Sequence, residues 1–304
     1  MQKAHPAISF IHFLLAIVGA MLFTHPAACA ITLLAALSYG ICLKGIGVIL
    51  RRVVVLLPFL MFATIINGLL NGSGSTPILY FGSYVITSEA LIYALCSAAI
   101  IAAVMLWFTC FNVVISSDKL IHLFGKRMPR LSLLFTMTLR FVPHFGQQAK
   151  AIATAQKGIG RLSRADTRQD GRGLGNYLKA LKRGAYDGAV VFSTLLSWSL
   201  ENAMETADSM RARGYGLPGR SAYSPYRFGQ WDFVFGIMML ICTAIVAFGS
   251  FQGSFSMAFF PLISGIKFNS VAVFAYGAYA AILFMPSLIW LLEEICWHFT
   301  KSKI

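Results

Sequence analysis

Apolar runs punctuate the chain at near-regular intervals. Ile8–Phe23, Pro26–Leu43, Val53–Leu70, Ile86–Ile115, Phe233–Ser250 and Ser270–Leu292 are almost free of charge, with Glu89 the one exception, near an end. Each approaches the roughly 20 mostly apolar residues that a helix needs to cross a bilayer. The pattern predicts an all-α polytopic membrane protein with about six transmembrane helices. Between the first two runs lies only Thr24 to Ala27, where Pro26 suits a first helical position, so a tight hairpin is expected there in preference to one long broken helix. The run from Ile8 also fits a leader peptide, with Ala27-Ala28-Cys29 as a lipobox-like site. The weak start (Lys3, His5, His12), with no exported soluble domain after it, favours a first span.

The middle of the chain has a different period. From Met128, Leu131, Leu134, Phe135, Leu139 and Val142 recur at spacings of three and four, with Arg130 and Arg140 off that stripe. Pro129 opens this helix, and Pro143 is expected to bend or end it. The segment GRLSRADTRQDGRGLG reads as a loop. A second helix is predicted from about Tyr177 to Arg213, with Leu200, Met204, Ala207 and Arg211 on one side and Glu201, Glu205 and Asp208 on another. The chain thus divides into N-terminal transmembrane helices (1–116), a region of long amphipathic helices (117–228), and C-terminal transmembrane helices (229–304).

Composition agrees: 58% hydrophobic, 12% charged, mean hydropathy +0.72. Charge then orients the spans. Of 25 Lys and Arg, all but Lys267 fall before the first run, between the second and third (Lys44, Arg51, Arg52), in the middle region, or at the tail. Cationic loops stay cytoplasmic, so both termini and the middle region are expected on the cytoplasmic side, and Ala189–Leu200 must not cross. The net charge of +14 is explained by this topology and calls for no nucleic-acid partner. The six cysteines lie in or beside apolar runs without a C-x-x-C pair, and the histidines are scattered, so no disulfide frame, metal site or cofactor is expected.

The chain lacks the parts for several chemistries. A phosphate loop needs G-x-x-x-x-G-K-[ST], whereas Gly125-Lys126 is followed by Arg127 and Leu120 stands at the first glycine position. No nucleophile–base pair marks an enzyme. An ion-coupled secondary transporter or channel is the alternative reading. Against it, Asn67, Asn112 and Glu89 all lie toward span ends, with no charge near the midplane.

The most unusual text is SMRARGYGLPGRSAYSPYRF, where Arg211 and Arg213 occupy a last helical turn and Gly214 the place of a left-handed cap. Cations favour that end of a helix in any case. Arg213 there is also a planar, two-pronged donor suited to carboxylates on a partner, beside the slim Ala212. A basic amphipathic helix fits either anionic lipid or a protein groove, and the acidic stripe favours protein.

Ser209–Asp232 resembles the signature region of the transmembrane T component of energy-coupling factor (ECF) transporters, the CbiQ/EcfT-like proteins. His25-Pro26, NGLLNGSGSTPILYFGSYVITSEAL (Asn67–Leu91) and MPRLSLLFTMTLRFVP (Met128–Pro143) are similar in the same order. The resemblance implies a non-catalytic membrane subunit of a bacterial ABC-type importer for a vitamin or metal ion. Its partners would be two ATPase subunits and a substrate-binding S component. In that family two Ala-Arg-Gly triplets end two cytoplasmic coupling helices, and their arginines engage acidic grooves of the ATPases. Ala212-Arg213-Gly214 matches the second triplet. In place of the first stands Gly158-Ile159-Gly160, with Arg161 one position later. The expected coupling residues are therefore Ala212, Arg213, Gly214, Arg211, Gly160 and Arg161. The final span is longer than the family's core, with Glu293 and Glu294 read as interfacial.

Overall fold

The computed structural model describes residues 5–70, 74–81, 84–125, 128–160, 174–217, 226, 228–259 and 270–301. In order come α1 (Pro6–Leu22), α2 (Pro26–Lys44), α3 (Ile46–Leu70), β1 (Pro77–Phe81), β2 (Tyr84–Thr87), α4 (Ser88–Val114), α5 (Ser117–Gly125), α6 (Pro129–Gly158), α7 (Leu174–Ala212), α8 (Gln230–Phe251) and α9 (Ser270–Lys301). The protein is an all-α polytopic membrane protein; α2, α3, α4, α8 and α9 are long and apolar enough to cross a bilayer. The first helix, also apolar apart from the buried Ser9 and His12, is shorter at 17 residues. Two compact units emerge, Met1–Leu123 with Tyr226–Ile304, and Phe124–Pro225.

The first two apolar runs are separate helices, and the same short sequence starts both. His5-Pro6-Ala7 and His25-Pro26-Ala27 each place proline in the first turn, where its missing N–H costs nothing. Each histidine Nδ1 accepts the N–H two residues on, at 3.2 Å from Ala7 and 3.3 Å from Ala27. An imidazole thus does the work usually given to Ser or Asp at a helix N-cap.

In the first unit, α1, α2, α4 and α9 share a core built around Phe13, Tyr39, Trp107, Tyr279 and Leu283. Fully buried alanines, among them Ala16, Ala28, Ala35, Ala36 and Ala275, let the helix backbones approach, which is how helices associate where lipid removes most of the hydrophobic drive. Gly249 of α8 shows how tight this is: a Cβ there would sit 2.5 Å from that of Ala275 in α9. Polar pairs add direction. Thr32 and Tyr279 share a hydrogen bond of 2.8 Å, and Ser38 and Ser287 one of 3.2 Å, so α2 and α9 run parallel. The starts of α1 and α8 also lie together, with the His5 ring 5.0 Å from that of Phe228.

Several expectations at span edges are corrected. Lys44 ends α2, and α3 begins at Ile46 after the single residue Gly45, so Arg51 and Arg52 lie inside the helix and not in a loop. Arg52 Nη1 reaches Thr109 Oγ1 of α4 at 2.8 Å, a long side chain carrying its charge past an apolar surface. Ile86, expected to open the fourth span, belongs to β2. There Pro77 pairs with Thr87 and Phe81 with Tyr84, a two-stranded antiparallel hairpin added to the helical fold. The helix after it is capped by Thr87 Oγ1, which accepts from Ala90 N–H at 3.4 Å. Buried Glu89 then ties the hairpin's base, accepting from Thr76 Oγ1 at 2.8 Å, Thr76 N–H at 3.4 Å, Ser75 Oγ at 3.3 Å and Ser88 Oγ at 3.2 Å. A carboxylate with that many donors needs no cation.

Candidate partner-docking site

The second unit is built on two long helices, α6 of 30 residues and α7 of 39. Pro129 opens α6 as expected, but Pro143 does not end it, and the helix continues to Gly158. A proline removes one amide donor; packing just beyond it holds the helix together, because the His144 and Phe145 rings lie 5.3 and 5.9 Å from the Trp198 indole of α7. From this junction to Gly158, and from Trp198 to Ala212, each helix runs 14 residues further, an arm of about 21 Å. Elsewhere large apolar side chains stay open. Leu131, Leu134, Phe135, Leu139 and Val142 of α6 are exposed, as are Phe192, Leu196, Leu200 and Met204 of α7 at four-residue spacing.

The two arms end alike. In α7, Arg213 N–H bonds to Ser209 O at 3.1 Å, Gly214 N–H to Arg211 O at 3.0 Å, and Tyr215 N–H to Met210 O at 3.0 Å. With Gly214 at φ +78° this is a Schellman motif, and a left-handed backbone there is costly for any residue with a side chain. In α6, Ile159 N–H bonds to Ala155 O at 3.1 Å and Gly160 N–H to Lys157 O at 3.2 Å, with Gly160 at φ +76°. Superposing the left-handed glycines matches Gly158 with Ala212, Ile159 with Arg213 and Lys157 with Arg211. Arg161, expected among the coupling residues, lies outside the described residues.

Chemistry at the two ends differs. Arg213 is exposed, on the last carbonyl turn of a long helix, where a cation is favoured by the helix dipole. Arg211 stands 3.9 Å from Asp208 with both side chains about four-fifths exposed, a geometry worth little to stability. Ala212 beside it is exposed and small. At the α6 end Ile159 is 74% exposed. An exposed isoleucine at a helix tip is the feature that reading residue types missed; the signal available was Gly158-Ile159-Gly160, whose second glycine takes the left-handed turn.

The first unit offers less chemistry. Among the described residues no group of three or more His, Cys, Asp or Glu is placed to hold a metal ion. Lys119 in α5 is buried, its Nζ donating to Val114 O at 2.9 Å; this caps α4, and burial pulls the amine's pKa down. No protein-family model and no curated protein matches the chain.

Proposed function

We propose that the protein is the membrane-embedded energy-coupling subunit of an ECF-type importer in a bacterial cell membrane. It would couple two ATP-hydrolysing subunits to a substrate-binding membrane component. The observation that carries this reading is Arg213, exposed at the slim, sharply terminated tip of a 39-residue helix. A guanidinium so placed enters a groove and binds a carboxylate with two hydrogen bonds. The second arm, of equal length, gives a second attachment point, and two attachment points let closure of an ATPase pair do mechanical work.

The rest of the chain fits the task. The sequence lacks a phosphate loop, so nucleotide energy has to come from partners. Exposed apolar side chains along α6 and α7 suit contact with lipid or with a membrane-embedded partner. Cations gather where α2 meets α3 and beyond α4, at Lys44, Arg51, Arg52 and Lys119, which orients both termini toward the cytoplasm. Arg213→Glu in the tagged full-length chain is expected to abolish co-purification of the ATPase subunits, with Arg213→Lys retaining part of it. Undiminished recovery with Arg213→Glu removes this residue from the contact and the reading with it.

A further inference from the structure

Near their starts α1 and α8 pack closely. The His5 and Phe228 rings are 5.0 Å apart, and Ile8, Met239 and Met285 of α9 form one buried cluster. Beyond that cluster a cavity of about 410 Å³ separates the two helices. Leu15, Val18 and Leu22 line it from α1, Thr243, Ala247 and Phe251 from α8, and buried Tyr279, Ile282 and Leu283 of α9 form its floor. The floor is tightly packed. Gly19 lets the Tyr279 ring lie against α1, where a Cβ would come within 3.0 Å of it. Phe23 stacks on Phe255 at 4.1 Å and meets Tyr279 edge-on at 5.3 Å.

Polar atoms of the inner wall are already engaged. The Tyr279 hydroxyl shares a hydrogen bond of 2.8 Å with Thr32, and Thr243 Oγ1 donates to Met239 O at 2.7 Å. The remaining hydroxyls of the lining, Ser250 and Ser256, lie where α8 ends. The mouth is continuous with membrane-facing surface: Val18, Leu22 and Phe251 are exposed, as are Leu240, Ile241 and Phe248 along α8, a helix long and apolar enough to cross a bilayer.

We propose that this cavity binds a hydrocarbon chain of a bilayer lipid, from the leaflet in which α1 and α8 end, with the lipid's polar group beside Ser250 and Ser256. Size decides between the occupants. One turn of α-helix, about 5.4 Å of a cylinder about 10 Å across, already fills roughly 420 Å³, so a helix from a second copy or another protein does not fit. Water is disfavoured as well, since apolar cavities of roughly 150 Å³ stay dry. A single chain lies lengthwise: from Leu15 to Leu22 the lining runs about 10 Å, a third of the roughly 30 Å hydrocarbon core. Lipid tails are as apolar as this wall, so the gain comes from dispersion contacts in a shaped void, not from leaving water. The site lies wholly in the first unit and is independent of the coupling function proposed above.

The test counts lipids on the full-length chain, purified in detergent with added dioleoyl phosphatidylcholine, by native mass spectrometry as the detergent is stripped. The parent is expected to hold one phosphatidylcholine. Ala247→Phe and Val18→Trp fill the cavity from opposite walls and should each lose it. Leu240→Phe, on α8 outside the cavity, should keep it. All three positions are exposed, so circular dichroism of the variants should match the parent. Added phosphatidylcholine should also raise the melting temperature of the parent and of Leu240→Phe, and leave both filling variants unmoved. Equal retention by the parent and both filling variants overturns the inference. Equal loss with Leu240→Phe overturns it too, because the lipid is then a general coat of the helices. If the filling variants instead lose a co-purifying protein at unchanged lipid count, the cavity receives a protein side chain and the inference falls.

Discussion

The backbone N–H of His5 donates to the Asp232 carboxylate at 3.1 Å, joining the starts of α1 and α8 across 227 positions of sequence. Asp232 Oδ2 also accepts from Gly229 N–H at 3.1 Å, so one side chain caps its own helix and secures another. The tie has a topological meaning. If α1 to α4 each cross, the chain returns to the face from which it set out, and α8 starts on that same face. The parallel run of α2 and α9 gives the same parity. A single crossing by Ala189–Leu200 would place the starts of α1 and α8 on opposite faces and break both relations.

Single cysteines in a cysteine-free background read this parity directly. A cysteine at Ser75, in the exposed approach to β1, should react with an impermeant maleimide added outside intact cells. One at Glu201, exposed on α7, should react only after the membrane is opened. Labelling of both from outside would mean that the middle region crosses.

Removing the tie should loosen the bundle. Asp232→Ala gives up two hydrogen bonds to a nearly buried charged acceptor, an expected loss of about 2–3 kcal/mol. Thermal unfolding in detergent should fall by several degrees. Asp232→Asn keeps an acceptor and should fall by less.

His25 makes stability depend on pH. Burial lowers its imidazole pKa below the ordinary value of 6.5, and Nδ1 has to stay unprotonated to accept from Ala27 N–H. The unfolded chain therefore takes up this proton first. Stability from His25 is complete above about pH 7 and is lost as pH falls below about 6.5, until the folded ring also protonates. Melting temperatures measured from pH 8 to 5 should show the decline, and His25→Asn, which keeps a cap acceptor without titrating, should flatten it.

The α7 tip should be sensitive to one methyl group. At φ +78° a Cβ on residue 214 is strained, and it would meet Leu217 Cδ1 at 3.0 Å. Gly214→Ala is expected to cost about 1 kcal/mol locally, fray the last turn and weaken ATPase binding several-fold. The melting temperature of the transmembrane helices should not move, and a drop there would show that the tip supports the bundle.

What the sequence made legible follows from how strong each signal is. Uncharged runs of bilayer length announced the long apolar helices, and Gly214 announced the end of α7, because a left-handed cap leaves few residues to choose from. The hairpin was hidden because Ile86 continues the apolar composition of α4, and composition alone does not separate a short strand from a helix start. The early start of α3 was hidden because Arg51 and Arg52 look like a loop when read as charges; one of them reaches a threonine on α4. Pro143, expected to bend or end its helix, does not end it, and the His144 and Phe145 rings pack against Trp198 just beyond it. At the α6 tip Gly158-Ile159-Gly160 differs in residue type from Ala212-Arg213-Gly214, whereas the left-handed Gly160 ends its helix much as Gly214 does.

The His122 and Tyr226 rings lie 4.9 Å apart, so the chain leaves the membrane bundle and re-enters it at neighbouring points. Both points belong to the first unit, so a short glycine-serine bridge from Leu123 to Tyr226 would span the gap and close that unit into one continuous chain.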